Sequence, residues 1–260
     1  MRNFFYFLEE LLSRLVILAL WLYGKWVFRI LNRVKIEGRE NLPYRDENNG
    51  KKSLGALCRK IGFLIVSNHL TLLDSLLIGI SVVSFREILF YGEVIPWHTP
   101  DGKNFFSNPL IAFIMRLLRC IRTNRRPKTE AEREEAYDNY RQALSRGNLE
   151  IFLEGTRSKN GEIGNHTNAV AETVYRFYPP VIPIYIEKNV QKIMPLSMGS
   201  KIGLNFFFLR RGHRSLIRIG KTMEFDETEF GKYDPNKRKE VCEKFGQRIR
   251  EEIIKLSKTP

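Results

Sequence analysis

A short polar junction, Ser67-Asn68-His69-Leu70-Thr71-Leu72-Leu73-Asp74, separates two apolar runs and constrains the fold more than any other stretch. Ile61 to Val66 reads as a buried strand, and Leu72 to Val83 is long enough for a helix. Histidine takes and returns a proton near neutral pH, and a nearby carboxylate can fix its tautomer. On a regular helix, five steps would set His69 and Asp74 roughly 140° apart. They meet only if His69 lies in the loop and Asp74 in the first helical turn. Thr71-x-x-Asp74 offers that geometry as a capping box, with Thr71 as N-cap and Asp74 at N3. Capping also explains Asp74 without any catalysis, and a histidine beside a strand is an ordinary structural residue, so the junction alone leaves both readings open.

The alternation continues on both sides of the junction. Val34 to Glu37 reads as a strand stopped by Gly38, Pro43 to Ser53 as an exposed polar loop, and Glu87 to Tyr91 as a strand. Pro96 to Asn108 is a breaker-rich loop, and Pro109 to Leu118 a helix with proline in its first turn. Glu130 to Arg146 is a charged helix with a narrow stripe of Ala136, Tyr140, Ala143 and Leu144, ending at Gly147. Leu149 to Leu153 is a strand that runs into Glu154-Gly155-Thr156-Arg157-Ser158. There glycine allows a sharp turn, and the hydroxyls with Arg157 offer donors for a phosphate. A plain turn with a Glu154–Arg157 ion pair is the structural alternative. Thr167 to Phe177 is a helix, Val181 to Ile186 and Leu216 to Ile219 are strands, and Pro183 argues for an edge or a bulge. The closing helix, Pro235 to Leu256, carries Val241, Phe245, Ile249 and Ile253 on one face. Strands alternating with helices indicate an α/β domain.

With 260 residues, 43% of them hydrophobic, the chain suits one generous domain (35–260) behind a helical segment (1–34). Its net charge of +14 seeks anions, whether nucleic acid, anionic lipid or phosphorylated substrate. Cys58, Cys120 and Cys242 are scattered, which favours free thiols in a reducing compartment and gives no zinc site. Phe4 to Leu31 is almost wholly apolar but has no cleavage site of a signal peptide. Its clean run, Leu15 to Gly24, spans only about 15 Å as a helix against roughly 30 Å of hydrocarbon. Arg14 and Lys25 form a polar edge, and Trp21, Tyr23 and Trp26 suit a headgroup boundary, so an interfacial helix leads over a tilted span or a buried helix. Two basic stretches stand out. Arg116 to Lys128 is a solvated face or a phosphate cradle, and Lys188 to Met223 lacks any acid and encloses Phe206, Phe207 and Phe208. These suit an anionic membrane surface or stacking on a nucleic acid, or else a core with a basic rim. The apolar N-terminal helix favours lipid, with no nucleic-acid partner.

Together, His69-x4-Asp74 and the downstream Glu154-Gly155-Thr156-Arg157-Ser158, with Asn68 before the histidine, resemble the 1-acylglycerol-3-phosphate acyltransferase family. Ile121 to Arg125 and Val181-Ile182-Pro183-Ile184 resemble two further blocks, and the likeness covers about Ile36 to Ile219. It implies a glycerolipid-acyltransferase-like α/β domain, a central sheet flanked by helices, behind a membrane-associated segment on the cytoplasmic face. It also implies direct transfer of an acyl chain from an acyl thioester, of coenzyme A or acyl carrier protein, to a lysolipid hydroxyl. His69 would be the base, oriented by Asp74; Asn68, Arg125, Glu154, Gly155, Thr156 and Arg157 would bind substrate, and no metal or further cofactor is called for. Backbone N–H groups after Thr71 are candidate oxyanion donors. Leu153 stands where the family usually has proline, Thr71 where serine is common, and His166-Thr167-Asn168-Ala169 where Lys-x-Gly-Ala is frequent. These departures bear on the acceptor: lysophosphatidic acid leads, with another lysophospholipid, an aminolipid or glycerol 3-phosphate as alternatives, and a non-catalytic membrane scaffold as the alternative of another class.

Overall fold

The computed structural model describes residues 2–44, 62–124, 127–194 and 209–259. Arg125, Cys58, Phe206 to Phe208 and nearly all of the polar loop after Pro43 lie outside the described residues.

Six strands form one sheet: β1 (Arg33–Glu37), β2 (Leu64–Ser67), β3 (Trp97–His98), β4 (Leu149–Phe152), β5 (Val181–Ile186) and β6 (Arg214–Ile219). Their order is β1-β6-β5-β2-β4-β3, parallel throughout except between β5 and β6. β2 is central and wholly buried, as a parallel strand covered on both faces must be. Its Ile65 faces one core and its Leu64 and Val66 the other.

The helices of more than one turn are α1 (Arg2–Lys25), α2 (Asp74–Val82), α3 (Phe85–Phe90), α4 (Pro109–Leu117), α5 (Glu130–Arg146), α6 (Asn168–Phe177) and α7 (Arg238–Lys258). Val241, Phe245, Ile249 and Ile253 of α7 are buried against the sheet as their four-residue spacing predicts. The stripe of α5 is buried too, widened by Tyr137.

Two expectations fail locally. Glu87 to Tyr91 is no strand: Ser84 and Glu87 form a reciprocal capping box that starts α3, so the local cap overrides the apolar run. The loop expected over Pro96 to Asn108 holds β3, which pairs with β4 through Trp97 and His98. Pro183 is in an interior strand, not an edge. Ile184 pairs with Ile219 and Val181 bridges Met223, three residues along β5 against four along the partner, so one extra residue is accommodated opposite Pro183. Gly220 N–H still donates to the Pro183 carbonyl at 2.8 Å.

Helix α1 lies along the domain. Trp21 Nε1 donates to Val83 O at 2.9 Å, Ser13 Oγ to Leu117 O at 2.7 Å and Arg14 Nη1 to Leu89 O at 2.7 Å. Glu9 pairs with Arg116 and Glu10 with Arg119. In the first part of the basic stretch the exposed Arg116 and the buried Arg119 both tie α4 and its following turn to α1, so Arg119 belongs neither to a solvated face nor to a cradle. Arg218, counted with the other basic stretch, is likewise buried, on Glu37 at 2.7 Å. The opposite face of α1 exposes Leu8, Leu11, Leu15 and Leu22, with Trp26 just beyond its end. Beyond Lys25 the helix continues as a π-helical stretch, Trp26–Leu31, and Phe7–Leu31 is long and apolar enough to cross a membrane by length and composition.

Candidate active site

The junction leaves β2 through Asn68, whose amide replaces a rung of sheet. Its Nδ2 donates to Ile186 O at 2.9 Å, and its Oδ1 accepts Ile186 N–H at 2.8 Å. Asn68 is fully buried with these bonds made, so its work here is to hold β5 while the main chain turns away.

His69 follows in the loop, 7% exposed. Its Nδ1 is 2.9 Å from Asp74 Oδ2, and its ring stacks on Phe152 with centroids 3.7 Å apart and planes 8° apart. Asp74 is the first residue of α2 and fully buried. Besides the imidazole, it accepts the Leu70 N–H, the Thr71 N–H at 2.8 Å and the Thr71 hydroxyl at 2.6 Å. Opposite a carboxylate oxygen, Nδ1 carries the hydrogen and Nε2 the lone pair, the tautomer a general base requires.

Only half of the expected capping box forms. Asp74 takes the Thr71 N–H, but Thr71 Oγ1 accepts from Leu73 N at 3.1 Å, and the helix begins after Leu73. The cap is thus a local knot around the carboxylate. The N–H groups of Leu70 and Thr71 are used in it, and so is that of Leu73, which removes Leu73 from the oxyanion donors expected after Thr71.

The second motif holds the first by its backbone. Glu154 Oε2 accepts the His69 N–H at 2.8 Å, its Oε1 accepts the Gly164 N–H at 3.0 Å, and Ser158 N–H donates to His69 O at 2.7 Å. Burial pushes the Glu154 carboxyl above its ordinary range, against the pull of those two N–H bonds. Gly155 has φ +66°, and a Cβ there would come within 2.9 Å of Thr167 Cγ2. This turn is one that glycine alone makes without strain. Leu153 N–H donates to Ser67 O at 2.8 Å, a bond that a proline at this position would lack. The Glu154–Arg157 ion pair does not form: among the described residues Arg157 has no ion-pair or hydrogen-bond partner, and Thr156 is exposed beside it.

Two cavities flank this centre and share Phe152 and Thr99 in their walls. One, of about 400 Å³, is mainly apolar and runs from His69 along Leu76 and Gly79 of α2 to Ile17 and Trp21 of α1 and Met115 of α4. The other, of about 700 Å³, is the more polar of the two and touches Glu154, Gly155, Thr156, Asn168, Lys103 and Arg133. Sequence reasoning missed Phe152, the lid on the imidazole. Its signal was its position on β4, where period two puts Glu150 and Phe152 on one face. It also missed His98, hidden in a two-residue strand.

Residues 33–187 match the family described as Acyltransferase. The fold is similar to the crystal structure of the 1-acyl-sn-glycerophosphate (LPA) acyltransferase PlsC from Thermotoga maritima, at TM-score 0.56 and 18% identity, over 95% of this chain and 82% of that one. Among curated proteins none matches. The matched span holds both motifs, from the His69–Asp74 pair to the turn that grips it, and the chain belongs to the acyltransferase family.

Proposed function

We propose that the chain transfers an acyl group from an acyl thioester, of coenzyme A or acyl carrier protein, to the free hydroxyl of lysophosphatidic acid, giving phosphatidic acid. The observation that carries this is the Asp74-held imidazole opening on an apolar cavity that reaches α1. A hydroxyl is a poor nucleophile at neutral pH, while a thioester needs only proton removal during attack. His69 Nε2 takes the hydroxyl proton as the oxygen attacks the thioester carbon. The carbon–sulfur bond then breaks, and the thiolate leaves with the proton His69 returns. Asp74 fixes the imidazole and stabilises the imidazolium in between. The apolar cavity receives an acyl chain, and Thr156 with the unpaired Arg157 meets the acceptor phosphate at the rim of the polar cavity. Glu154, engaged with two backbone N–H groups, positions His69 and does not touch the phosphate.

The membrane surface is the exposed face of α1, whose other face is bonded to the domain; a helix so docked lies in the interface and does not thread across it. The exposed Leu110, Ile111, Phe113 and Ile114 of α4 extend the same surface, on the cytoplasmic side where the acyl donors are made.

A second acceptor reading has its own support. Lys103 and Arg133 in the polar cavity are offset by Asp101, Glu154 and Glu172, and His166 stands where a lysine is frequent in the resembled family. That balance suits an acceptor bearing an amine as well as one bearing a bare phosphate. Mass spectrometry of products from purified protein, offered both donors and a panel of lysolipids with His69→Ala as the blank, decides between them. No product above that blank would remove the catalytic reading altogether and leave a membrane scaffold.

A further inference from the structure

The apolar cavity carries a polar cluster that the transfer chemistry leaves unused. Ser75, His98 and Thr99 interrupt its wall, and behind them sits Glu150, 1% exposed. Ser75 Oγ donates to Glu150 Oε1 at 2.6 Å, and Thr99 Oγ1 to the Glu150 carbonyl at 3.3 Å. His98 Nδ1 faces Glu150 Oε2 at 3.3 Å, yet neither atom makes an aligned hydrogen bond. A carboxylate this deep costs stability unless its partners are good, so its presence in an acyl-lined wall asks for a reason.

The cluster has one polarity. The two hydroxyls turn their hydrogens inward to Glu150, and the imidazole sets its Nδ1 against the same residue. What remains for the cavity is acceptors: the lone pairs of Ser75 Oγ and Thr99 Oγ1, and His98 Nε2, which bonds no described residue. An alkyl chain has no donor to give them. A hydroxyl has one.

The place of the cluster says where on the chain that hydroxyl belongs. Ser75 directly follows Asp74, and Glu150 lies two residues before Phe152 on the same face of β4, about 7 Å along the strand from the ring that covers His69. A group seated there is a few carbons from the reacting end.

We propose that Ser75, His98 and Thr99, arranged around the buried Glu150, form a hydrogen-bonding seat for a hydroxyl carried by the fatty chain close to its carboxyl end. This rests on the reading above that the cavity receives an acyl chain. The hydroxylated chain belongs either to the thioester donor or to the lysolipid acceptor, and two arms separate them. In one, thioesters of a straight chain and of its 3-hydroxy counterpart of equal length compete for lysophosphatidic acid; in the other, the hydroxyl is on the acceptor chain and the donor is plain.

The wild type is expected to favour the hydroxylated chain about tenfold or more in kcat/KM in one arm, the effect of a good hydrogen bond and of acceptors otherwise left unpaired. His98→Phe and Ser75→Ala should each bring that ratio towards one. Equal use of both chains in both arms overturns the proposal, as does a preference that survives both substitutions. A loss of turnover shared equally by plain and hydroxylated chains also overturns it, because that is what a structural role of the cluster gives. If His98→Phe does not fold, Ser75→Ala and the wild-type ratio carry the test. No transfer of any chain counts against the acyltransferase reading itself.

Discussion

Glu154 and His69 are joined through a main-chain group: Glu154 Oε2 accepts the His69 N–H at 2.8 Å, while the other carboxylate oxygen holds Gly164 N–H at 3.0 Å. The two motifs, 85 residues apart in sequence, thus form one unit in which the second grips the backbone of the first.

Glu154→Gln turns one accepting oxygen into a donor facing an N–H, leaving a buried donor unpaired at a cost of about 1–3 kcal/mol. Because the carboxylate acts through the His69 backbone, kcat should fall while the KM for the acceptor stays within about twofold. Steady-state kinetics over a range of acceptor concentrations checks this. A raised KM with kcat intact would return Glu154 to the phosphate, and Arg157→Ala, which should raise that KM, is the paired measurement.

The Asp74 carboxylate has two tasks, and two substitutions separate them. His69→Ala should abolish transfer but leave the knot of Leu70, Thr71 and Asp74 intact, so its melting temperature should stay near that of the wild type. Asp74→Ala strips four donors of their acceptor and should lose both transfer and about 1–3 kcal/mol or more of stability. Asp74→Asn keeps the shape but upsets the tautomer, and a loss of roughly 10²–10⁴ in kcat is expected. Paired melts and turnover assays test the ranking; equal melts for His69→Ala and Asp74→Ala would deny Asp74 its structural task.

Much of this was legible from residue pattern, and what was not has identifiable causes. His69 and Asp74 could be placed because the turn between them is closed by bonds among neighbours in sequence. The gripping role of Glu154 could not, since its partners are backbone groups brought near by the β2–β4 pairing. The hold of Asn68 on β5 was hidden for the same reason: its partner, Ile186, is on a strand 118 residues away. Glu87 misled because a capping box and a short apolar run occupy the same residues, and the cap won. β3 is too short for any periodicity, so His98 passed as a loop residue.

On α1, Leu8, Leu11, Leu15 and Leu22 fall at steps of three, four and seven, on one exposed face. Replacing Leu11, Leu15 and Leu22 by serine removes apolar area without touching the bonds that Glu10, Ser13, Arg14 and Trp21 make to the domain. Each leucine lost from a lipid contact is worth up to about 1.5–3 kcal/mol, so vesicle affinity should drop at least tenfold. Cosedimentation with vesicles containing anionic lipid measures it, and an affinity within threefold of the wild type would assign the membrane contact to another surface.

Gly79 lies within α2 and lines the apolar cavity, and a Cβ built on it meets nothing within 4 Å. Two consequences of opposite value follow from one position. Glycine inside a helix is less favourable than alanine by roughly 0.5–1 kcal/mol, so Gly79→Ala should raise the melting temperature by about 1–4 °C. A larger side chain at the same place projects into the cavity proposed for the acyl chain. Gly79→Phe should therefore move the preferred chain to shorter lengths and lower kcat/KM for the longest donors, with the shortest least affected. A competition assay with a mixture of thioesters of graded length, read by product mass, gives the profile directly. If the profile of Gly79→Phe superimposes on that of the wild type while Gly79→Ala is stabilised as expected, the acyl chain lies elsewhere and the cavity beside His69 has another occupant.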